Sequence, residues 1–392
     1  MLSPSELGGI RRAIADAGVD GWLLYDFHGI NPIAAGVVGI SGMVTRRYFC
    51  YIPREGNPVA ITHAIEQGPW DRWPSDWPKR VYSSWRDLEK YLADTVRGKT
   101  VAMEYSPGDA VPYLDRVPAG VVEMVRDAGA KVVTSADLVT RIYAVWTPGN
   151  LASHKRAAEH LARIAHNAMA LAGERARARK PISEYELMML MREEFAEANL
   201  LTDHGPNVSV GLNAANPHYE PTKEASALIN DGDIILIDLW AHEPGGVFAD
   251  QTWMGSLGPA SSENIVIWET VRGARDAAIK VLRDHVETGK PVTGGEADDA
   301  ARNYIAERGF GQYFTHRTGH SIDSREIHGS GPNIDNLESR DVRILLPGIA
   351  FSIEPGIYIP GQVGMRSEVN GFIQDGSVLI TPINIQQDLF IV

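Results

Sequence analysis

The chain has 392 residues and a mass of 42.9 kDa, which predicts two domains and leaves room for a large core. Hydrophobic residues at 44% and charged residues at 22% are ordinary for a soluble globular protein, and no apolar run approaches the length of a membrane span. The net charge of −13 opposes binding to nucleic acid or to anionic membrane surfaces, so neither is expected as a partner.

The opening Met-Leu-Ser-Pro-Ser-Glu-Leu has no signal-peptide core, and the one cysteine, Cys50, lies in Tyr-Phe-Cys-Tyr-Ile as a buried strand residue. A cytoplasmic protein is expected. From Ser3 to Gly18 apolar residues recur at helical spacing, and Gly21 to Asp26 reads as a buried strand. Tyr48 to Ile52, Pro58 to Thr62, Thr100 to Glu104 and Lys131 to Thr134 are further strands. Trp85 to Val96, Val111 to Ala128 and Ala136 to Ile142 are helical. This alternation predicts an α/β domain over residues 1–147. Trp70, Trp73 and Trp77 share a proline-broken loop, read as a local cluster rather than a lid.

Thr147-Pro-Gly-Asn punctuates the chain, and residues 148–392 form a second domain. Helices from Leu151 to about Gly173 and from Ser183 to Asn199 come first, the second with the capping box Ser183-Glu-Tyr-Glu186. Strands at Asn207 to Gly211, Ile234 to Ala241 and Val247 to Gly255 follow. Helices Ser262 to Glu287 and Gly295 to Gly309 then precede another set of strands, Ile349 to Tyr358, Gly364 to Ile373 and Val378 to Thr381. Helices then strands, twice over, predict an α+β domain of two similar halves.

The chemistry concentrates in two turns. Asp238 and Asp250 sit nearly symmetrically about Glu243-Pro-Gly-Gly246, so a hairpin makes them cross-strand neighbours. Two carboxylates in an apolar setting are costly unless a cation lies between them. Alone, this stretch fits equally a turn acid beside a solvated strand-end acid. In the second half Glu354 and Glu368 lie equidistant from Gly361, so a second hairpin pairs two more acids, and His316, His320 and His328 fall between the two hairpins. Four carboxylates and an imidazole offer hard ligands that suit two divalent cations about 3.5–4 Å apart, Mn²⁺ or Co²⁺ ahead of Zn²⁺.

The ordered residues Asp238, Asp250, His320, Glu354 and Glu368, in Ile-Asp-Leu, Ala-Asp-Gln-Thr, Thr-Gly-His, Ile-Glu-Pro-Gly-Ile-Tyr and Arg-Ser-Glu, resemble the metal ligands of the pita-bread metallopeptidases. That family includes prolidase (Xaa-Pro dipeptidase), aminopeptidase P and methionine aminopeptidase. The first domain resembles the creatinase-type domain of the first two. The resemblance implies a pita-bread catalytic domain, two divalent metal ions, a hydroxide nucleophile shared by them, and Glu354 as proton acceptor. It places His218 and His328 on the substrate carbonyl and the tetrahedral intermediate, with His316 also against substrate. Arg366 orients Glu368 or caps a substrate terminus, and Arg340 resembles the arginine that grips a dipeptide's carboxylate. The implied substrates are Xaa-Pro dipeptides, with longer Xaa-Pro peptides as the alternative. A homodimer is expected. The chain departs from the family at Trp240, usually small, at Trp253, usually arginine, and by one extra residue between His320 and His328; these reshape the cavity rather than the ligand set. A metal-free creatinase-like C–N hydrolase and a binding protein without chemistry are the readings from other classes.

Overall fold

The computed structural model describes residues 1–42 and 44–392. They form two compact units, Met1–Ala144 and Val145–Val392.

The first unit is built on strands β1 (Gly21–Asp26), β2 (Tyr48–Pro53), β3 (Val59–His63), β4 (Lys79–Tyr82), β5 (Thr100–Met103) and β6 (Lys131–Thr134), in the sheet order β4-β3-β2-β1-β5-β6. β1 runs parallel to β5 and antiparallel to β2. Every residue of β1 is buried because both faces are covered. Trp22 and Leu24 enter a core with Leu7, Ile10 and Ile14 of the Pro4–Asp16 helix, whereas Leu23 and Tyr25 meet Leu88, Leu92 and Val96 of the Trp85–Val96 helix. Trp70, Trp73 and Trp77 are buried in the first of these cores and pack edge to face at 5.4 and 5.1 Å, so they form the local cluster. Cys50 is buried in β2. The helix expected over Val111–Ala128 is confined to Ala119–Asp127, because Pro112 and Pro118 interrupt the ladder before it.

The second unit repeats one plan. In its first half the Pro148–Arg177 helix, the Glu184–Glu197 helix and strands β7 (Asn207–Val210), β8 (Ile234–Ala241) and β9 (Ala249–Ser256) follow in order. In the second half come the Ser262–Glu287 helix, the Gly294–Ala306 helix and strands β10 (Ala350–Ile353), β11 (Gly356–Ile359), β12 (Val363–Arg366), β13 (Val369–Gln374) and β14 (Ser377–Thr381). The shorter helix of each half starts in a capping box, Ser183 with Glu186 and Thr293 with Glu296, and each cap residue bridges to an extended segment, Ser183 to Leu228 and Thr293 to Ile344. The short strand β15 (Phe390–Ile391) returns to pair with β9.

The Pro148–Arg177 helix packs on strands β8 and β9. Its buried stripe, Ala157, Leu161, Ile164, Ala165, Ala168 and Ala172, is spaced by three and four and rich in alanine, which lets the backbones come close. Against it lie Ile235, Ile237 and Leu239 of β8 and Trp253 of β9. His154, on the same helix, is fully enclosed, with Nδ1 2.8 Å from the Phe248 carbonyl oxygen and Nε2 2.7 Å from Thr381 Oγ1. Burial brings its pKa down to about 4, against the Phe248 hydrogen bond, which acts the other way. The unfolded chain therefore takes up a proton near pH 6.5 that the folded chain refuses until near pH 4, and stability is lost as pH falls through that window. Between pH 7 and pH 5 this contributes about 2 kcal/mol of destabilisation. Denaturant unfolding at the two pH values should show a correspondingly smaller difference in a His154→Gln variant; an equal difference contradicts the assignment.

Candidate metal centre

The site stands where the two strand systems meet. In the first hairpin Asp238 is opposite Thr252, and Trp240 is opposite Asp250. The two acids are thus cross-strand neighbours on one face, as a diagonal pair rather than directly opposed. Alternation along β9 turns Asp250 and Thr252 to this face and Gln251 and Trp253 to the other. Gln251 donates to the Ala158 carbonyl, and Trp253 donates to Gln251 Oε1 and packs on His166 at 4.5 Å. Trp253 therefore belongs to the helix-packed core, not to the pocket where the sequence placed it.

The second hairpin is interrupted at its acids. β11 pairs with β12 through Gly356 and Arg366, and β10 pairs with β13 through Ile353 and Val369. Continuing either register puts Glu354 opposite Glu368, in the gap between the ladders. There Glu368 bridges to Thr252 instead, which joins the two hairpins. Asn207, Asp238, Thr252 and Glu368 consequently form one row across the site, since Asn207 is also opposite Asp238. Asp250 donates its backbone N–H to Asn370 Oδ1 at 3.0 Å, a second tie between the halves.

The segment Thr318–Ser321 lies beside β10. Ser352 donates its backbone N–H to the His320 carbonyl at 2.8 Å, and Glu354 donates to the Thr318 carbonyl at 2.6 Å. Gly319 permits this approach, because a Cβ there would lie 2.0 Å from the Ser352 carbonyl oxygen. His320 Nε2 then sits 3.4 Å from Asp250 Oδ2 and 3.5 Å from Glu354 Oε1. Ligand atoms of Asp250, His320 and Glu368, all buried, lie within 4.8 Å of one another.

Arg366 enters from β12. Its guanidinium pairs with Asp238, and its Nε donates to Thr252 Oγ1 at 2.8 Å; Thr252 in turn donates to Glu368 Oε2 at 2.8 Å. Behind it the enclosed Arg275 donates to Ser367 Oγ at 3.0 Å, which holds Ser367 away from the site. Burial pushes Asp238 up to about 6, with Arg366 pulling it down and Asp250 and Glu354 raising it. Asp250 and Glu368 are pushed well above the carboxylate range by burial and then by neighbouring acids. Burial also raises Glu354, but His320, Arg366, His316 and Arg317 together bring it below its ordinary value. His328, whose ring lies 4.3 Å from that of His320, is brought down to about 3 by the charge of His320 and then by burial. So dense an acid cluster is a place where a multiply charged cation replaces protons.

A cavity of about 340 Å³ opens above the row, lined by Asp238, Asp250, His320, Glu354, Arg366 and Glu368 together with His218, His328, Glu326 and Trp240. His316 is outside that lining. It stands behind Arg366, with Nε2 2.9 Å from Tyr358 OH, which is 3.5 Å from Arg366. Arg340 is exposed and also outside the lining. Arg343 is buried in a bidentate pair with Asp341 and donates to the Ser330 and Gly331 carbonyls, a loop clamp. The sequence reading missed Thr252, which the Asp-Gln-Thr spacing could have revealed, since residues two apart on a strand share a face. It also missed Asn207, whose place depends on the register of β7.

Residues 154–375 match the model of metallopeptidase family M24. The Xaa-Pro dipeptidase of Lactobacillus helveticus is 38% identical over 171 residues, which is 43% of this chain and 42% of that protein. The chain thus aligns with less than half the length of this curated relative. The fold is similar to that of dipeptidase PepE from Mycobacterium ulcerans, with a TM-score of 0.76 and 23% identity over 99% of this chain and 97% of that one. It is also similar to X-Pro aminopeptidase from Thermotoga maritima, with a TM-score of 0.63 and 24% identity over 97% and 100% of the two chains.

Proposed function

This chain belongs to metallopeptidase family M24, and from that premise we propose that it hydrolyses Xaa-Pro dipeptides at a pair of divalent cations held by Asp238, Asp250, His320, Glu354 and Glu368. The observation that carries the reading is the convergence of buried acids from both halves on one imidazole, with Asp250, His320 and Glu368 already within ligand range of each other. The donor set fits the group: hard carboxylate oxygens around one nitrogen suit Mn²⁺ or Co²⁺, and Zn²⁺ is compatible. When bound, such cations supply Lewis acidity that activates water and polarises a carbonyl near neutral pH.

The remaining chemistry falls to side chains of the cavity. Glu354 accepts a hydrogen bond from Ser352 Oγ at 3.0 Å on Oε1, which fixes the carboxylate that takes the proton of the attacking water and passes it to the leaving proline nitrogen. His218 and His328 line the cavity and donate to the substrate carbonyl and the developing oxyanion. Arg366 and Thr252 hold Asp238 and Glu368 in place. Arg340 is the candidate for the dipeptide's free carboxylate, on the ground of its charge. His316 acts through Tyr358 and Arg366 rather than by touching substrate.

The relative named as an Xaa-Pro dipeptidase favours the dipeptide over longer peptides. The test is a comparison of rates on an Xaa-Pro dipeptide and an Xaa-Pro tripeptide with Mn²⁺, Co²⁺ or Zn²⁺, in the native protein and in Arg340→Ala. The dipeptide should be preferred by about tenfold, one charge-assisted contact, and the variant should lose that preference. Equal loss on both peptides removes the Arg340 role. Failure to cleave either peptide with any of the metals ends the peptidase reading.

A further inference from the structure

One wall of the cavity carries chemistry that the hydrolysis leaves unused. It consists of Asp203, His204, Asn207 and Trp240. Trp240 follows Asp238 by two positions on β8, so its indole stands beside the acid row. Its Nε1 donates to Asp203 Oδ1 at 2.9 Å, and its ring meets His204 edge to face at 4.9 Å. The indole fits there because Gly205, with φ +71°, has no side chain; a Cβ would lie 2.6 Å from the ring. Asp203 also accepts the backbone N–H of His204 at 2.9 Å and lies 3.0 Å from His204 Nδ1. Its side chain remains 56% exposed, so its charge is presented at the cavity mouth rather than buried with the ligands. Behind them Asn207 Oδ1 is enclosed, with no hydrogen-bond donor among the described residues.

An indole that lines the cavity beside an anchored, half-exposed carboxylate describes a receptor for a cation on an apolar stem. Charge accounting agrees. With Arg366 and two divalent cations set against the four ligand carboxylates and a hydroxide, the site is balanced, and Asp203 and Glu326 are left over among the lining acids. A substrate carboxylate on this wall would face Asp203.

We propose that Asp203 and Trp240 form the specificity wall for the residue preceding the scissile bond, and that it selects a lysine or arginine side chain there. The proposal rests on the dipeptidase reading of the same site. The methylenes of a lysine lie along the indole, and the ammonium donates to Asp203 at the cavity mouth. The substrate's own α-ammonium is the other possible cation. It is common to every dipeptide and so gives no preference among them.

The test uses the metal-loaded protein and compares kcat/KM for Lys-Pro, Leu-Pro and Glu-Pro in the native chain and in Asp203→Asn. Asp203→Asn keeps an acceptor for Trp240 Nε1 and removes only the charge. Lys-Pro should exceed Leu-Pro by about tenfold, as expected for one hydrogen bond to a charged group, with Glu-Pro lowest. In Asp203→Asn the Lys-Pro to Leu-Pro ratio should fall towards one, through KM rather than kcat. A native ratio near one, or a ratio that Asp203→Asn leaves unchanged, overturns the proposal. Calorimetric titration of the same samples with free L-lysine and L-leucine separates the two readings. If no dipeptide is cleaved the dipeptidase reading fails, while tighter binding of lysine than leucine, lost in Asp203→Asn, still supports the wall and equal binding refutes it.

Discussion

Replacing Asp250 with alanine should abolish divalent-metal binding and lower the hydrolysis of an Xaa-Pro dipeptide by at least about a thousandfold, the scale of losing a principal transition-state contact. The fold should survive. Asp250 is enclosed beside Glu354, Glu368 and His320, and burial together with neighbouring acids disfavours its charge. Removing it relieves like-charge repulsion, so the chelator-treated variant should melt no lower than the chelator-treated native protein. Metal content per chain and dipeptide turnover on the same preparation check the first claim, and calorimetry checks the second. A variant that keeps its metal, or keeps its rate, would remove Asp250 from the centre.

Asp298→Ala should be the most destabilising single change near the site although Asp298 touches no part of the cavity. Its carboxylate accepts the backbone N–H of Thr318 at 2.9 Å, the Thr318 hydroxyl at 2.6 Å and the backbone N–H of Asn336 at 3.1 Å. It also takes Nε and Nη2 of Arg302 at 3.1 and 2.8 Å, and Arg302 in turn donates to the Phe314 and His316 carbonyls. Alanine leaves the guanidinium without its counter-ion and releases the segment that carries His320, at a cost of about 3–5 kcal/mol. Because His320 loses its fixed position, metal affinity should fall as well. Denaturant unfolding and metal titration measure the two effects. A loss under about 1 kcal/mol would mean that the remaining contacts of the segment suffice to hold it.

Much of this was legible in the sequence, and the rest was hidden for identifiable reasons. The alternation of helices and strands, the two-half plan of the second unit and the Ser183–Glu186 capping box depend on local pattern, and the structure carries each of them. The acids of the two hairpins could be paired by counting from their turns. Counting gave Glu354 opposite Glu368 and made Asp238 and Asp250 cross-strand neighbours, but did not show that they are a diagonal pair, which follows from the register that sets Trp240 opposite Asp250. The bridge from Thr252 to Glu368, which makes one site of two hairpins, joins residues far apart in the chain, and no local pattern encodes it. Trp253 illustrates the same limit. Its type departs from the expected arginine, yet strand alternation carries it into the core beside His166, so the cavity is altered by Trp240 alone of the two.

His316 shows the opposite case, where proximity in sequence overstated proximity in space. His316 is four residues from His320, but the intervening segment is extended against β10, and the two rings serve different neighbours. Arg340 precedes the buried Asp341–Arg343 pair, whose clamp on Ser330 and Gly331 leaves Arg340 on the exposed side.

The central claim is that the acids and the imidazole of the second unit hold two catalytic divalent ions for cleavage of an Xaa-Pro bond. Its most direct test is the initial rate of Xaa-Pro dipeptide hydrolysis by chelator-stripped protein as Mn²⁺ is added stepwise, with bound metal measured at each point. The rate should start near zero and rise to a plateau at about two ions per chain, the stoichiometry of a dinuclear site. Full activity in the stripped protein, or no cleavage at any loading, would contradict the account.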